Sequence, residues 1–256
     1  MKISKWAVAM VTVLAIGPTG TILAQHWGYE GEAGPQNWGK LDPNFGVCAS
    51  GKNQSPIDLK GFIEADMKPL KLDYKAGIAD IAHHGHGIAD MVNNGHTVQV
   101  NHAPGSTLSV DGITFELKQF HFHSPSENKI NGKQFPLEGH LVHADKDGNL
   151  AVLAVMFQEG AANTLLAKLW EKMPNKAGEK SAPATGLSVF QLLPNERDYY
   201  RFNGSLTTPP CSEGVRWFVI KKPGTASRAQ IQQFSKAIGF ANNRPIQSTN
   251  ARSVLQ

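Results

Sequence analysis

Apolar and polar side chains alternate along residues 115–123, a segment rich in aromatic and branched residues. This period of two predicts a strand, in which the side chains of residues i and i+2 share a face. Gln119, His121 and His123 therefore lie on one face, and the phenylalanines between them point the other way into a core. The pattern predicts a strand that presents two histidines side by side.

A second strand is predicted over residues 137–144, after a turn-rich segment. Glu138, His140 and Val142 share one of its faces. If this strand pairs antiparallel with the first, His140 lies opposite the two histidines of the first strand. Three imidazoles then converge on one point.

Short apolar runs separated by turns fill residues 57–110, and residues 150–157 form a continuous apolar run typical of a strand buried on both faces. We find no internal repeat and no clear linker. The sequence therefore predicts a mainly β (α+β) fold, a single domain built on a large, mostly antiparallel twisted β-sheet with a few peripheral helices. Residues 26–51 are rich in Gly, Pro and Asn and are expected to be mostly irregular, held by Trp27, Trp38 and Phe45.

Two helices are indicated by their capping residues. Asn163 caps the first, which runs to about Lys172, and Ser227 with Gln230 forms a capping box for the second, which Gly239 ends. The apolar positions of both helices are expected to face the core: Leu165, Leu166, Leu169, Trp170, Ile231, Phe234 and Ile238.

Composition is that of an ordinary globular protein, with 41% hydrophobic residues and a formal net charge of +4 in 256 residues. The chain is long enough for a sizeable core. It carries no basic stripe, so we expect no nucleic-acid partner.

The first 24 residues have the pattern of a secretory signal peptide. Lys2 and Lys5 precede an apolar stretch at residues 6–16, Gly17-Pro18 breaks it, and Ala24 offers a small residue for cleavage. A membrane anchor is the alternative, but these breakers make a poor spanning helix. We expect export, periplasmic in a cell with two membranes, no stable membrane insertion after cleavage, and a mature domain over residues 25–256.

The chain has two cysteines, Cys48 and Cys211. In an exported protein two cysteines suggest one disulfide, whereas in the cytosol two separate buried thiols would be the better interpretation.

Three neutral imidazoles with a vacant fourth position are typical of a catalytic Zn2+ site. Metal-bound histidines also need a partner for the second ring nitrogen. Gln119 precedes His121 by two residues and Glu138 precedes His140 by two, so each is on the right face to be that partner. A chance exposed histidine pair is the alternative for the first strand alone, and the third histidine weighs against it.

Seven short motifs follow one another along the chain: HWGY (26–29), QSPID (54–58), NNGH (93–96), QFHFHSPSE (119–127), LEGHLVH (137–143), SLTTPP (205–210) and NRPIQ (243–247). Together they resemble the signatures of the alpha-class carbonic anhydrases of the bacterial exported type. The resemblance implies a zinc enzyme that reversibly hydrates carbon dioxide to bicarbonate and a proton.

For the reaction centre, the resemblance implies Zn2+ bound by the three histidines and attack of a zinc hydroxide on carbon dioxide. Thr207 matches the threonine that accepts a hydrogen bond from this hydroxide and donates one to Glu127. Thr208 matches the position that contacts bicarbonate. Without the three histidines, this segment would be read as an ordinary turn.

For proton release, the resemblance makes His96 the shuttle and Tyr29 a residue that orders water in the site. Asn94 and Gln99 stand where water-ordering polar residues are expected. From the residues alone, His96 would be an ordinary surface histidine and Tyr29 a packing residue.

The resemblance also implies an apolar substrate pocket formed by Val142, Val152, Leu206 and Trp217, a disulfide between Cys48 and Cys211, and cis peptides at Ser55-Pro56 and Pro209-Pro210. The expected partners are carbon dioxide and bicarbonate as the small-molecule substrate pair, with a homodimer left open.

Some positions depart from the family pattern or have no role in it. Ser124-Pro125 stands where many members have Trp-Gly, and Gly139 replaces a bulkier residue on the face away from the metal. His143 is expected to be a core histidine. His83, His84 and His86 form a loop cluster whose alternatives are a solvated loop, a weak metal site or a proton relay.

Two other functions remain open. A non-catalytic exported zinc-binding protein of the same fold would lack a ligand or the Thr207–Glu127 pair, and all of these are present. A zinc hydrolase of the metallo-beta-lactamase kind would need an aspartate two residues after His123, where Pro125 stands.

Overall fold

One large mixed sheet forms the frame of the computed structural model, which describes residues 26–75, 87–182 and 187–256. The expected signal peptide at residues 1–24 and the cluster of His83, His84 and His86 lie outside the described residues.

The strands are β1 (Asp58–Leu59), β2 (Lys71–Asp73), β3 (Gly87–Asn93), β4 (Val98–Ala103), β5 (Thr107–Val110), β6 (Ile113–His123), β7 (Lys129–Ile130), β8 (Leu137–Ala144), β9 (Leu150–Glu159), β10 (Lys180–Ser181), β11 (Tyr199–Ser205), β12 (Glu213–Ile220) and β13 (Gly224–Ala226). The α-helices are α1 (Trp38–Leu41), α2 (Val47–Ser50), α3 (Thr164–Trp170) and α4 (Arg228–Ile238), with 3-10 turns at Gly31–Ala33, Pro43–Phe45 and Val189–Leu192.

Strand order along the main path of the sheet is β10-β3-β4-β6-β8-β9-β12-β11, with β5 joining β2 to β6 and β13 pairing with β9. Most neighbours pair antiparallel, and β9 pairs parallel with both β12 and β13. The small β1–β7 pair is parallel and separate from this sheet. The expectation of a mainly β fold on a mostly antiparallel sheet is confirmed.

The two central strands form where the alternation indicated. Strand β8 has the expected bounds, and β6 begins at Ile113, two residues earlier than expected. The inward residues Phe115, Phe120 and Phe122 are fully buried in the main core. Residues of β9 are buried on both faces from Ala151 to Phe157, as its continuous apolar run predicted.

Both helices begin at the expected caps. The Asn163 side chain accepts hydrogen bonds from the backbone N–H groups of Leu165 and Leu166, each at 3.0 Å. Helix α3 ends at Trp170, slightly before the expected end. The capping box of Ser227 and Gln230 opens α4, and Gly239 ends it with a φ of 85°. No helix among the described residues is long and apolar enough to cross a membrane.

The segment from His26 to Gly51 was expected to be irregular, and this was wrong in part. It contains α1, α2 and two 3-10 turns, each of three or four residues. Elements this short show no hydrophobic period in a sequence. The predicted aromatic cluster is confirmed: Trp38 is fully buried, packs with Trp27 and Phe45, and donates from its indole nitrogen to Gly28 O at 2.8 Å.

The peptide bonds Ser55-Pro56 and Pro209-Pro210 are cis, as expected, and Ser124-Pro125 is also cis. The last follows the second histidine of β6 directly, at the position where the sequence departs from the family pattern.

We expect Gly204→Ala to destabilise the fold. A Cβ at Gly204 in β11 would strike Ser55 Oγ and lie 3.0 Å from the rings of Phe202 and Trp217. Ser55 Oγ accepts the backbone N–H of Ser205, so it cannot move without losing that bond. Overpacking of this kind costs about 1–3 kcal/mol, which urea denaturation measures.

The matched control is Gly46→Ala. Gly46 has a φ of −51°. A Cβ added there would lie 3.7 Å from its nearest neighbour, Pro43 O. Alanine there should stabilise the protein by about 0.4–1 kcal/mol, because it restricts the unfolded chain. Equal effects of the two substitutions would contradict the predicted clash.

Candidate metal centre

Pairing of β6 with β8 brings the three histidines together. His121 lies directly opposite His140 in the antiparallel register, and His123 lies two residues along on the same face. The ring centroids are 4.6 to 5.3 Å apart. One ring nitrogen of each histidine lies within 4.8 Å of those of the other two. The predicted convergence of three imidazoles is confirmed.

Each imidazole is held through its other ring nitrogen. His121 Nδ1 donates to Gln119 Oε1 at 2.8 Å, and His140 Nε2 donates to Glu138 Oε1 at 2.9 Å. These are the contacts expected from the two-residue spacing. His123 Nδ1 donates to the backbone oxygen of Asn242 at 2.6 Å. The nitrogens left to face one another are therefore His121 Nε2, His123 Nε2 and His140 Nδ1.

The Asn242 contact was missed in the sequence. A backbone carbonyl carries no side-chain signal, and Asn242 lies 119 residues from His123. The only hint was its place directly before the NRPIQ motif.

Burial keeps the three imidazoles neutral. It lowers the pKa of His121 and of His140 well below the ordinary value, and the repulsion that a second protonated ring at His123 would exert lowers both further. Burial also lowers the pKa of His123, although the backbone oxygen of Asn242 opposes the shift. Neutral imidazole is the form that binds a metal.

Two buried polar atoms fit a cation at this point. Among the described residues, His123 Nε2 and Glu127 Oε2 have no hydrogen-bond partner, and they lie 3.5 Å apart. Buried polar groups are nearly always satisfied, so an unsatisfied pair indicates a missing partner. Three neutral nitrogens beside a carboxylate suit zinc better than a hard cation, which prefers oxygen ligands.

Glu138 is itself held firmly. Its carboxylate accepts the backbone N–H groups of Glu127 and Asn128 at 2.7 and 2.9 Å and the Asn128 amide at 2.8 Å. Burial raises the pKa of Glu138, and the hydrogen bonds from Asn128 oppose that shift. The ring of His140 is thus oriented by a carboxylate that cannot rotate.

Glu127 lies on the other side of the histidines. Its Oε1 accepts the backbone N–H of Arg244 at 2.8 Å. Burial raises the pKa of Glu127 well above its ordinary value, and the backbone N–H of Arg244 and the nearby Thr207 hydroxyl oppose this shift. Thr207 is buried beside it at 5% exposure. The structure therefore brings Glu127 and Thr207 together at the centre.

Arg244 is a buried residue that the sequence analysis did not single out, although the NRPIQ motif contains it. Its guanidinium donates to Gln54 Oε1, Ser55 O and Cys48 O at 2.8 to 2.9 Å. Burial lowers its pKa to about 10, while the charge of Glu127 raises it. Arg244 ties the segment before β1 to the loop that carries Glu127.

Cys48 and Cys211 form the expected disulfide, with Cα atoms 5.0 Å apart. Cys211 is fully buried, and its backbone N–H donates to Thr208 O at 2.9 Å. The bridge therefore anchors the turn that contains Thr207 and Thr208 to helix α2.

The double variant Cys48→Ala with Cys211→Ala should lose about 2–5 kcal/mol of stability, because the bridge closes a loop across 163 residues. Guanidinium denaturation with and without reductant measures the loss. Reductant should lower the stability of the parent protein alone. If reductant lowers the stability of the parent and of the double variant equally, the loss does not come from this bridge.

The four apolar positions expected to form the substrate pocket belong to one cluster. Val152 and Trp217 are buried, and Val142 and Leu206 pack against the same cluster. The Trp217 ring meets His140 edge-on, with centroids 4.9 Å apart. An apolar cluster thus packs against His140.

A polar pocket opens next to His121 and His123. It is lined by Trp27, Tyr29, Asn94, His96, Thr97, Gln99, Gln119, His121, His123 and Thr208. The structure therefore places the expected water-ordering residues, the expected shuttle and two of the histidines around one space.

The ring of His96 has two stacked aromatic neighbours at this pocket. It stacks on Trp27 with centroids 3.7 Å apart and on His26 at 5.0 Å. Burial, and then the charge of His26, lowers the pKa of His96 to about 4. The sequence predicted the location of His96 but not this stacking.

Tyr29 lines the same pocket. Burial and the charge of Glu127 raise the pKa of its hydroxyl well above the ordinary value, so the group stays protonated. The prediction for His143 is confirmed: it is fully buried, contacts the Tyr74 hydroxyl at 2.9 Å, and lies in the core away from the centre. Gly139 faces the rings of Phe122 and Phe157, also away from the centre.

A family model described as eukaryotic-type carbonic anhydrase matches residues 33–256. The chain belongs to the alpha carbonic anhydrase family. Its similarity to carbonic anhydrases is high over nearly the full length: 51% identity to that of Pectobacterium carotovorum across 90% of each chain, and 43% to that of Klebsiella pneumoniae across 97% of each.

Solved structures agree with this assignment. The alpha carbonic anhydrase of Thermovibrio ammonificans, in complex with sulfanilamide, superposes with a TM-score of 0.85 at 47% identity, covering 91% of this chain and 99% of that one. Dioscorin complexed with ascorbate superposes with a TM-score of 0.81 at 34% identity, covering 90% and 97%. The chain is thus an enzyme of the carbonic anhydrase family, and the resemblance stated from its motifs is confirmed.

Proposed function

We propose that the chain catalyses the reversible hydration of carbon dioxide to bicarbonate and a proton, with zinc held by His121, His123 and His140. The observation that carries the proposal is the convergence of three ring nitrogens beside the unsatisfied Glu127 Oε2. Zinc bound there would act as a Lewis acid that lowers the pKa of water to about 7, the established value for carbonic anhydrases.

Thr207 orients the nucleophile in this proposal. Zinc bound beside Glu127 would favour its ionised form, because a nearby positive charge opposes the effect of burial on its pKa. An ionised carboxylate only accepts hydrogen bonds, so the hydroxyl of Thr207 would donate to Glu127 and keep its lone pairs free. Arg244 holds Glu127 in place through a backbone N–H. The freed lone pairs of Thr207 accept from the attacking oxygen and aim it at carbon dioxide. Thr208, on the same turn, contacts the product bicarbonate.

The apolar cluster receives the substrate. Carbon dioxide is small and carries no net dipole, so an apolar wall binds it without competing for the hydrogen bonds at the centre. Val142, Val152, Leu206 and Trp217 supply that wall beside His140.

The polar pocket is the exit for the proton, with His96 as its carrier and Tyr29, Asn94 and Gln99 ordering water. In the stacked position His96 is a weak proton acceptor. Its pKa of about 4 lies below the pKa of about 7 expected for the water that zinc would activate. We therefore expect proton release to limit turnover at low buffer concentration, and added imidazole to raise it.

Trp27→Ala should raise the pKa of His96 from about 4 toward its ordinary value of about 6.5, because it exposes one face of the ring. Turnover at low buffer should rise with it. An NMR titration of the His96 ring protons gives the pKa. Trp27→Phe keeps a stacking ring and is the control. An unchanged His96 pKa in Trp27→Ala would contradict the role of the stack.

We also propose export with removal of residues 1–24, leaving a mature domain of residues 25–256 in the periplasm. The disulfide supports an oxidising compartment. A homodimer stays a prediction.

The decisive experiment is stopped-flow hydration of carbon dioxide by the zinc-loaded mature chain from about pH 6 to 9. We expect a fast rate that rises through an apparent pKa near 7. Zinc bound one to one without any rate above buffer would overturn the proposal in favour of the alternative, a non-catalytic exported zinc-binding protein of the same fold.

A further inference from the structure

A row of three polar side chains runs across β4 and β3 from the polar pocket. Gln99 Nε2 donates to Asn101 Oδ1 at 2.7 Å, and Asn101 Nδ2 donates to Asp90 Oδ1 at 2.8 Å. All three side chains are half-buried. The row begins at a residue that lines the pocket and ends at a carboxylate outside it.

Asp90, at the end of the row away from the pocket, determines how the amides of Asn101 and Gln99 are oriented. A carboxylate only accepts hydrogen bonds, so Asn101 turns its NH2 group toward Asp90. The oxygen of Asn101 then faces Gln99, which donates a hydrogen bond to it from its own NH2 group. The remaining atom of the Gln99 amide, the oxygen Oε1, is left for the pocket.

Gln99 lies close to the three histidines, so the orientation of its amide affects the pocket beside them. It lies opposite His121 in the pairing of β4 with β6, and Asn101 lies opposite Gln119. Gln99 and His96 line the same pocket. An oxygen at Gln99 accepts from water or from a ligand N–H, whereas an NH2 group there would donate and reverse the direction of the neighbouring water.

We propose that Asp90 is a positioning residue that acts through Asn101 to orient the Gln99 amide with its oxygen toward the proton-exit pocket. The consequence for turnover rests on the proposed function. The orientation of the amide itself does not, since it follows from the three side chains alone.

Asp90→Asn is the test, because an asparagine can donate or accept and no longer fixes the row. Two readouts separate positioning from a structural role. The first is the Gln99 side-chain signal in a 1H–15N NMR spectrum, assigned by its loss in Gln99→Leu. The second is turnover at low buffer with and without excess imidazole. The control is Asp66→Asn, which makes the same charge change at an exposed aspartate that lies 3.7 Å from Lys68.

We expect Asp90→Asn to shift the Gln99 signal and to lower turnover at low buffer about fivefold, the factor for one hydrogen bond of ordinary strength. Imidazole should restore it. In the Gln99→Leu background, Asp90→Asn should have no further effect, because the two residues act in series. Asp66→Asn should change neither readout.

Two results would overturn the proposal: an unchanged Gln99 signal in Asp90→Asn, or an equal loss of turnover in the Gln99→Leu background. If the parent protein hydrates no carbon dioxide, the proposed function fails. The NMR shift in Asp90→Asn then still decides whether Asp90 orients Gln99.

Discussion

We expect His123→Ala to abolish zinc binding and to lower carbon dioxide hydration by more than about 10³-fold. The substitution removes a buried ring whose Nε2 lies at the centre of the site and whose other nitrogen is fixed by Asn242 at 2.6 Å. Two remaining imidazoles do not complete a catalytic zinc site. Without a Lewis acid worth several kcal/mol, the rate falls by the corresponding factor. Metal analysis after dialysis and stopped-flow hydration measure the two effects.

His96→Ala is the matched control for zinc binding. This ring lines the same pocket but does not belong to the group of converging nitrogens. It should keep one zinc per chain and lose turnover only at low buffer. Full zinc content and undiminished hydration in His123→Ala would show that the three histidines are not the metal site.

Thr207→Val should lower kcat/KM on the order of 10²-fold with zinc content unchanged, the loss typical of a misplaced reacting group. Valine has nearly the shape of threonine but neither donates to Glu127 nor accepts from the attacking oxygen. Thr207→Ser keeps the hydroxyl and should keep most of the activity. Stopped-flow hydration with parallel metal analysis makes the comparison.

Glu127→Gln tests the same pair from its other end. The glutamine oxygen must accept the backbone N–H of Arg244, so the glutamine NH2 group turns toward Thr207. The Thr207 hydroxyl then accepts a hydrogen bond from residue 127 and no longer donates one to it. We expect a loss similar to that of Thr207→Val, and little further loss when the two are combined. Additive losses would mean that Glu127 and Thr207 act independently.

The period-two pattern predicted the faces on which the three histidines lie, because all three, and two of the three residues that hold them, lie on β6 and β8. In a strand, spacing alone determines which side chains share a face. The caps of α3 and α4 were predictable for a similar reason, since Asn163 and Ser227 bond to backbone groups two or three residues away.

The contacts that sequence reasoning missed join separate strands or segments of the chain. Asn242 reaches His123 through a backbone oxygen, and Arg244 reaches Cys48, 196 residues away, through its guanidinium. Asp90 acts two side chains away from the pocket. No local pattern encodes such pairings, which depend on how the sheet and the C-terminal segment pack. The stacking of His96 on Trp27 belongs to the same class, and with it the lowered pKa of His96.

The most direct test of the account is to titrate the metal-free protein with zinc while carbon dioxide hydration is followed. We predict a rate that rises linearly to one equivalent of zinc and then stays constant, and no rise with His123→Ala. Binding of one equivalent without any hydration, or hydration that needs no metal, would contradict the account.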